Sequence, residues 1–413
     1  MFDSYFPRPK QFFLSAVAWF LVTLALWYGF ASELAPQFSL LQNAAEVAEG
    51  ERAPFLTPES VWLYQYIVLV AVIFCIAWFF IERNRWYWWS VVGSTVILLV
   101  TYFQVQISVW LNTWYGEFYD LIQLALTPPA GSVSVGQLYG ELATALYILV
   151  PNIMVSVLFL FFTSHYVFRW RTAMNDYYMS HWQVLRDVEG ASQRVQEDTM
   201  RFAGIVEGLG SAFISSIMTL IAFLPLLWTL SAQVTELPLI GAVDGSLVFL
   251  ALLSAIFGTV LLAAVGWRLP GLEFNNQKVE AAYRKELVYG EDAADRAQPP
   301  TVRELFGNVR KNYFKLYFNY MYFNVFRYAY LQGANFIPII ALVPTIAAGV
   351  ITFGVFTQIS NAFGKVENSF QFLVNSWTTI VELISIYKRL RAFESRIGNH
   401  EPDPNPSQPA VEM

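Results

Sequence analysis

The feature that most constrains this chain is a series of mainly apolar runs, each about as long as a bilayer is thick, which takes roughly 20 residues in a helix. Inside hydrocarbon no water can satisfy the backbone, and a helix solves that by bonding every N–H and C=O within the segment. Such runs occur at about 12–30, 61–81, 87–111, 142–162, 205–230, 247–265 and 335–351. A further segment, about 355–393, is amphipathic. It carries Asn361, Lys365, Glu367, Gln371, Asn375 and Glu382 among aromatics and aliphatics, and reads as an eighth span lining something wet. With 14% charged and 56% hydrophobic residues, against roughly 25% charged in soluble domains, the expected class is an all-α polytopic membrane protein of about eight transmembrane helices.

Several chemistries find no support. The lone Cys75 leaves nothing to pair with inside the chain. His165, His181 and His400 are isolated, and neither a His-Glu-x-x-His nor a paired-cysteine spacing is present, so neither a metal site nor a cofactor is expected. Ser164–His165 and Ser180–His181 are the nucleophile and base pairs at hand. Neighbours in sequence rarely form a working dyad, and the chain does not read as an enzyme. Nothing in it suggests a nucleic-acid partner.

The first run follows Arg8 and Lys10 and is too long for a signal-peptide core, so it reads as an uncleaved span. Residues 1–60 are then a first span with an acidic outer loop from 33, and 61–86 a second span with its tight ERNR connection. Residues 87–394 hold six helices, with charged extensions beyond the membrane at about 166–203 and 267–325; the first turns back near Glu189 and Gly190. The proline-rich stretch 395–413 reads as a disordered tail. With eight spans, the basic residues from Arg8 to Lys10, Arg83 to Arg85, Arg169 to Arg201, Arg268 to Arg327 and Lys388 to Arg396 all fall on one side. By the positive-inside rule that side is cytoplasmic and holds both termini. The other side carries Glu33, Glu46, Glu49, Glu51, Glu59, Glu117, Asp120, Glu141, Glu236 and Asp244 against the single Arg52. Its field would draw in cationic solutes, although acidic loops also serve simple solubility.

Two local patterns stand out. Gly204 and Gly208, at the start of the fifth span, make a small-x-x-x-small pair suited to close helix packing. From Trp267 to Asp292 the chain passes directly from apolar span to charged helix. On one continuous helix, at about 100° per residue, Glu273, Glu280 and Glu291 fall within roughly 20° of each other along a stripe about 27 Å long. Glu286 falls elsewhere, where Arg284 and Lys285 help to solvate it. Spacing alone fits a merely solvated acidic face equally well.

The strings FYDLIQ, SHYVFRWRTAMN, RVQEDTMRFA, LPGLEF, VEAAYRKELVYGED, RKNYFKLYF and NSWTTIVELISIYKRLR resemble the SbmA/BacA family of bacterial inner-membrane peptide transporters, from the start of the chain to about Glu394. The six-helix part is similar to the membrane half of cassette-type (ABC) exporters. The resemblance implies a homodimer importing cationic or modified peptides and peptide-like antibiotics down a proton gradient. A glutamate ladder would carry the protons: Glu197 in RVQEDTMRF, Glu207 in the glycine-rich start of span five, Glu280 in VEAAYRKE and Glu291 in VYGED. Glu273 shares the stripe without a matched role. Tyr119 and Tyr289 stand in matched motifs, with pore-lining or gating roles set against simple interface anchoring. No G-x-x-x-x-G-K-[ST] sequence occurs, yet a membrane subunit working with a separately encoded ATPase stays open as the alternative.

Overall fold

The computed structural model describes residues 1–41, 57–128, 131–188, 190–238, 241, 243–293 and 295–397. Glu46, Glu49, Glu51 and Arg52 of the acidic loop, Glu189 at the expected turn, and the tail from 398 lie outside the described residues. Among the described residues the regular structure is helical, apart from one isolated bridge between Leu237 and Gly241.

Seven helices are long and apolar enough to cross a membrane. They are α1 (Pro9–Gly29), α2 (Pro58–Ile81), a π-helical turn at Trp88–Gly93 leading into α3 (Ser94–Leu126), and α4 (Val135–Ser180). The rest are Ala191–Ser231, which ends in α5 (Thr199–Ser231), α6 (Ser246–Gly266), and, after α7 (Leu269–Asp292), α8 (Pro299–Ala347). The segment read as an eighth span is instead divided into α9 (Phe353–Phe370), the short α10 (Phe372–Asn375) and α11 (Trp377–Glu394). Its polar residues keep it outside the apolar class, while the all-α membrane architecture stands.

The charged extensions include continuations of the spanning helices α4 and α8, with α7 a separate helix between α6 and α8. At 46 and 49 residues, α4 and α8 are about 69 and 73 Å long at 1.5 Å per residue, far more than a hydrocarbon core of about 30 Å. Pro151, Pro225, Pro338 and Pro344 lie within long helices, as membrane helices tolerate. Beyond α4 the chain turns through His181, a short Trp182–Leu185 helix and Gly190, whose φ of 76° needs a residue without Cβ.

The chain forms two compact units. The first holds Met1–Trp110, Thr144–Ser215 and Glu382–Met413. An aromatic cluster fills its core. The fully buried Tyr5 ring stacks on Trp170 at 5.6 Å, and Phe2 and Phe6 close around the same indole. Each large side chain removed from water there contributes about 1.5–3 kcal/mol. Trp170 Nε1 donates to the Met1 carbonyl, and Tyr178 Oη donates to Glu394, which also pairs with the Met1 amino group.

The second unit holds Leu111–Ala143 and Ser216–Val381. Its α7–α8 hairpin is sealed by Leu269, Leu272, Leu316 and Phe323, with Asn312 Nδ2 donating to the buried Asn276 Oδ1 at 3.1 Å. Elsewhere in this unit α3 grips the start of α9. Asp120 accepts the Gly354 N–H at 2.7 Å, Gln123 accepts the Phe353 N–H at 2.8 Å, and Thr352 accepts that of Val355 at 3.2 Å. Donors left open by the helix start are satisfied in this way. A Cβ at Gly354 would run into the Gly116 carbonyl, so backbone meets backbone there.

Candidate functional site

The four ladder glutamates are divided between the units, two in each. In the first unit Glu197 lies in a π-helical turn, Arg194–Asp198. It pairs with Arg201 at 3.1 Å, one helical turn on, and accepts from Gln193 at 3.1 Å. Arg201 in turn reaches Glu382 on α11 at 3.3 Å. Beside Glu197, the buried Asp198 takes two hydrogen bonds from Arg389, at 2.9 and 2.8 Å, while Arg389 donates a third to Ser385. Those Asp198 bonds hold the Arg389 guanidinium even above its ordinary pKa. This fork-on-carboxylate geometry is the strong form of ion pair. Sequence reasoning missed both residues: Asp198 stands in RVQEDTMRF and Arg389 in YKRLR, but pattern does not say which distant charges meet.

Glu207 is different. It lies on the spanning helix α5, half-buried, with Ser211 Oγ donating to it at 2.9 Å, and among the described residues no cation pairs with it. An ionisable residue so placed is costly, and such residues mark functional sites by default. Gly204 and Gly208 flank it. A Cβ at either would meet no atom within 4 Å, and Gly208 is exposed. Glycines that allow close approach within the chain include Gly354, above, and Gly258, where a Cβ would strike the Tyr330 ring.

In the second unit Glu273, Glu280 and Glu291 share α7, one uninterrupted helix, so they do form the expected stripe. Their surroundings vary along it: Glu273 has a buried Oε2 without a partner, Glu280 is half-buried, and Glu291 is exposed. Glu286 departs from its expected solvated state. Only 17% exposed, it pairs with Arg296 at 3.7 Å and accepts the Ala297 N–H at 3.0 Å. It thereby pins the segment that leads from α7 to α8. That segment passes so close to α7 that a Cβ at Gly290 would collide with the Ala297 side chain. Tyr289 is exposed at the same end, with the Arg296 guanidinium 5.2 Å over its ring. Tyr119 is half-buried against Phe353, ring edge to face at 5.3 Å, within the contact between α3 and α9.

A further carboxyl is buried in this unit. Glu367 on α9 accepts from Ser254 of α6 and, at 3.3 Å, from Tyr330 of α8. A signal for it was present: Ile359, Ala362, Phe363 and Val366 are buried at helical spacing, and Glu367 continues that apolar face. Among the described residues no group of three or more His, Cys, Asp or Glu side chains is placed to hold a metal ion.

The model of the SbmA/BacA-like family matches residues 83–398. Two curated proteins are similar at low identity. The inner membrane ABC transporter ATP-binding protein YddA of Escherichia coli (strain K12) is 25% identical over 330 residues, covering 74% of this chain and 57% of that protein. An uncharacterized ABC transporter ATP-binding protein of Synechocystis is 26% identical over 240 residues, covering 56% of this chain and 34% of that protein. The chain thus spans about half or less of the length of these relatives.

Proposed function

This chain belongs to the SbmA/BacA-like family, and on that premise we propose that it is a proton-gradient-driven importer of peptides and peptide-like antibiotics across the bacterial inner membrane. The observation that carries this reading is Glu207, an ionisable side chain on a spanning helix whose partner is a neutral hydroxyl. A carboxylate there has no adjacent positive charge to hold it ionised, so gaining a proton removes the cost of charge in a low-dielectric setting. Proton uptake from one side and release to the other then accompanies alternating access. Glu197, with Arg201 as exchange partner, lies at the charged end of the same unit, and Glu280 and Glu291 form the path along α7. The chain works as a homodimer with both termini cytoplasmic; the uncovered faces of Gly204 and Gly208 suit a second copy. Acidic residues of the outer side attract cationic peptides.

The test is uptake of a labelled cationic peptide into proteoliposomes under an imposed pH gradient without ATP. Wild type is expected to accumulate peptide, and Glu207→Gln, which keeps size and hydrogen bonding but removes the proton site, to bind peptide without gradient-driven uptake. Full uptake by that variant would remove Glu207 from the mechanism. The names of the two relatives favour a second reading, a membrane subunit driven by a separate ATPase. It predicts no uptake by the purified chain until a nucleotide-binding partner and ATP are added.

A further inference from the structure

The four ladder positions leave unused the most enclosed carboxyl of the second unit. Glu367 is 6% exposed, and the groups facing it can be named helix by helix. From α6 comes Ser254, whose Oγ donates to Glu367 Oε1; α6 carries no titratable residue. From α8 comes Tyr330, whose Oη lies 3.3 Å from the same oxygen and 2.9 Å from the Ser254 carbonyl. Gln371, just beyond α9, donates its amide to Tyr330 Oη. On α9 itself Lys365 is two residues away, about 200° round the helix, and exposed. No lysine, arginine or histidine among the described residues is paired with Glu367.

Counting protons shows what this arrangement can hold. Ser254 has one to donate, and Tyr330 has one that the Ser254 carbonyl, at the shorter distance, also attracts. An ionised Glu367 would therefore rest on one full hydrogen bond and a contested second, out of water and without a cation. Isolated buried charge of this kind is not sustained; the group takes a proton or the site opens to water. A protonated Glu367 fits, with its proton on Oε2, Oε1 accepting from Ser254, and Tyr330 free to donate to the Ser254 carbonyl. Gly258 lets the phenol stand this close to α6, since a Cβ there would overlap the ring.

We propose that Glu367 is a proton-binding site separate from the four ladder glutamates, and that its proton holds α9 against α6 and α8. Loss of that proton to water leaves a carboxylate that the cluster cannot solvate, so α9 separates from α6 and the site wets. The connection to peptide uptake rests on the proton-coupled reading above, whereas the protonation and the movement of α9 do not.

The full chain in lipid nanodiscs tests this by infrared difference spectroscopy between acid and alkaline pH. Wild type is expected to show a carboxylic C=O band that titrates and that Glu367→Gln removes. Tyr330→Phe, which keeps the carboxyl, should shift the band's frequency because a hydrogen bond is lost, and this arm decides if the glutamine variant does not fold. A difference spectrum unchanged by Glu367→Gln, or a Glu367 band insensitive to Tyr330→Phe, overturns the site. Spin labels at Leu253 and Asn368, both exposed, in a Cys75→Ser background, should separate as the band is lost in wild type and keep one distance in Glu367→Gln. A wild-type distance that ignores pH overturns the latch. If Glu207→Gln keeps full gradient-driven uptake while the Glu367 band still titrates, the ladder falls and this site stands; a working ladder beside a silent Glu367 gives the converse.

Discussion

Asp198 and Glu367 are both buried carboxyls, one in each unit, and they are stabilised by opposite means. Asp198 receives the fork of Arg389 and stays a charge among charges, with Glu197, Arg201 and Glu382 nearby. Glu367 receives a serine and a tyrosine and, among the described residues, no cation. Burial alone therefore does not assign a role; the partner does. A carboxylate held by a bidentate guanidinium is a fixed structural charge, whereas a carboxyl held by neutral hydroxyls has no cation beside it to keep it ionised.

The sharpest way to break this contrast is to remove one ion-pair partner. Arg389→Ala should destabilise the protein by about 2–4 kcal/mol, somewhat below the 3–5 kcal/mol of a fully buried pair, because the guanidinium is 38% exposed. Denaturation in detergent would measure it, and a double-mutant cycle with Asp198→Asn should show strong coupling. If the two changes simply add, the ionic centre of the first unit is not a unit of stability.

In the second unit the corresponding test is steric. Gly354→Ala forces a Cβ into the Gly116 carbonyl and should cost about 1–3 kcal/mol by overpacking, while Gly208→Ala should leave the thermal midpoint of a single chain nearly unchanged. Equal effects would erase the distinction between a glycine packed within the chain and one on an open face. Glu286→Gln should cost about 1 kcal/mol, since it weakens the pair with Arg296 but leaves the amide oxygen to accept the Ala297 N–H. Glu291→Gln, on the exposed end of the stripe, should be silent in the same melt, as single exposed charges contribute little.

A small expected stability change bears most directly on the contrast. Glu367→Gln replaces the carboxyl by an amide that can accept the same hydroxyl protons, and should shift stability by less than about 1 kcal/mol. A loss as large as that of Arg389→Ala would mean that Glu367 is a structural charge like Asp198.

Much of this was legible in the residues because it is local. Apolar runs of membrane length become helices, since hydrocarbon leaves the backbone no other donor or acceptor. The excursion after the fourth span, the turn at Gly190 and the acidic stripe on α7 follow from residues close in sequence. The pairings were not legible: Asp198 meets Arg389 across 191 positions, and Ser254 meets Glu367 across 113. Gly204 and Gly208 carried the small-residue spacing, yet Gly116 and Gly354, in no such motif, bring backbone against backbone within the chain. Glu286 looked solvated because its neighbours on the helix are basic, while its partners come from the turn that follows. Sequence by itself determined where helices form and which segments are apolar, because hydrogen bonds within a helix and transfer from water act over a few residues. Tertiary structure decided which carboxyls receive a cation, which receive a hydroxyl and which are left alone. Those contacts join side chains far apart in the chain, and their energies depend on distances of a few ångströms that no local pattern encodes.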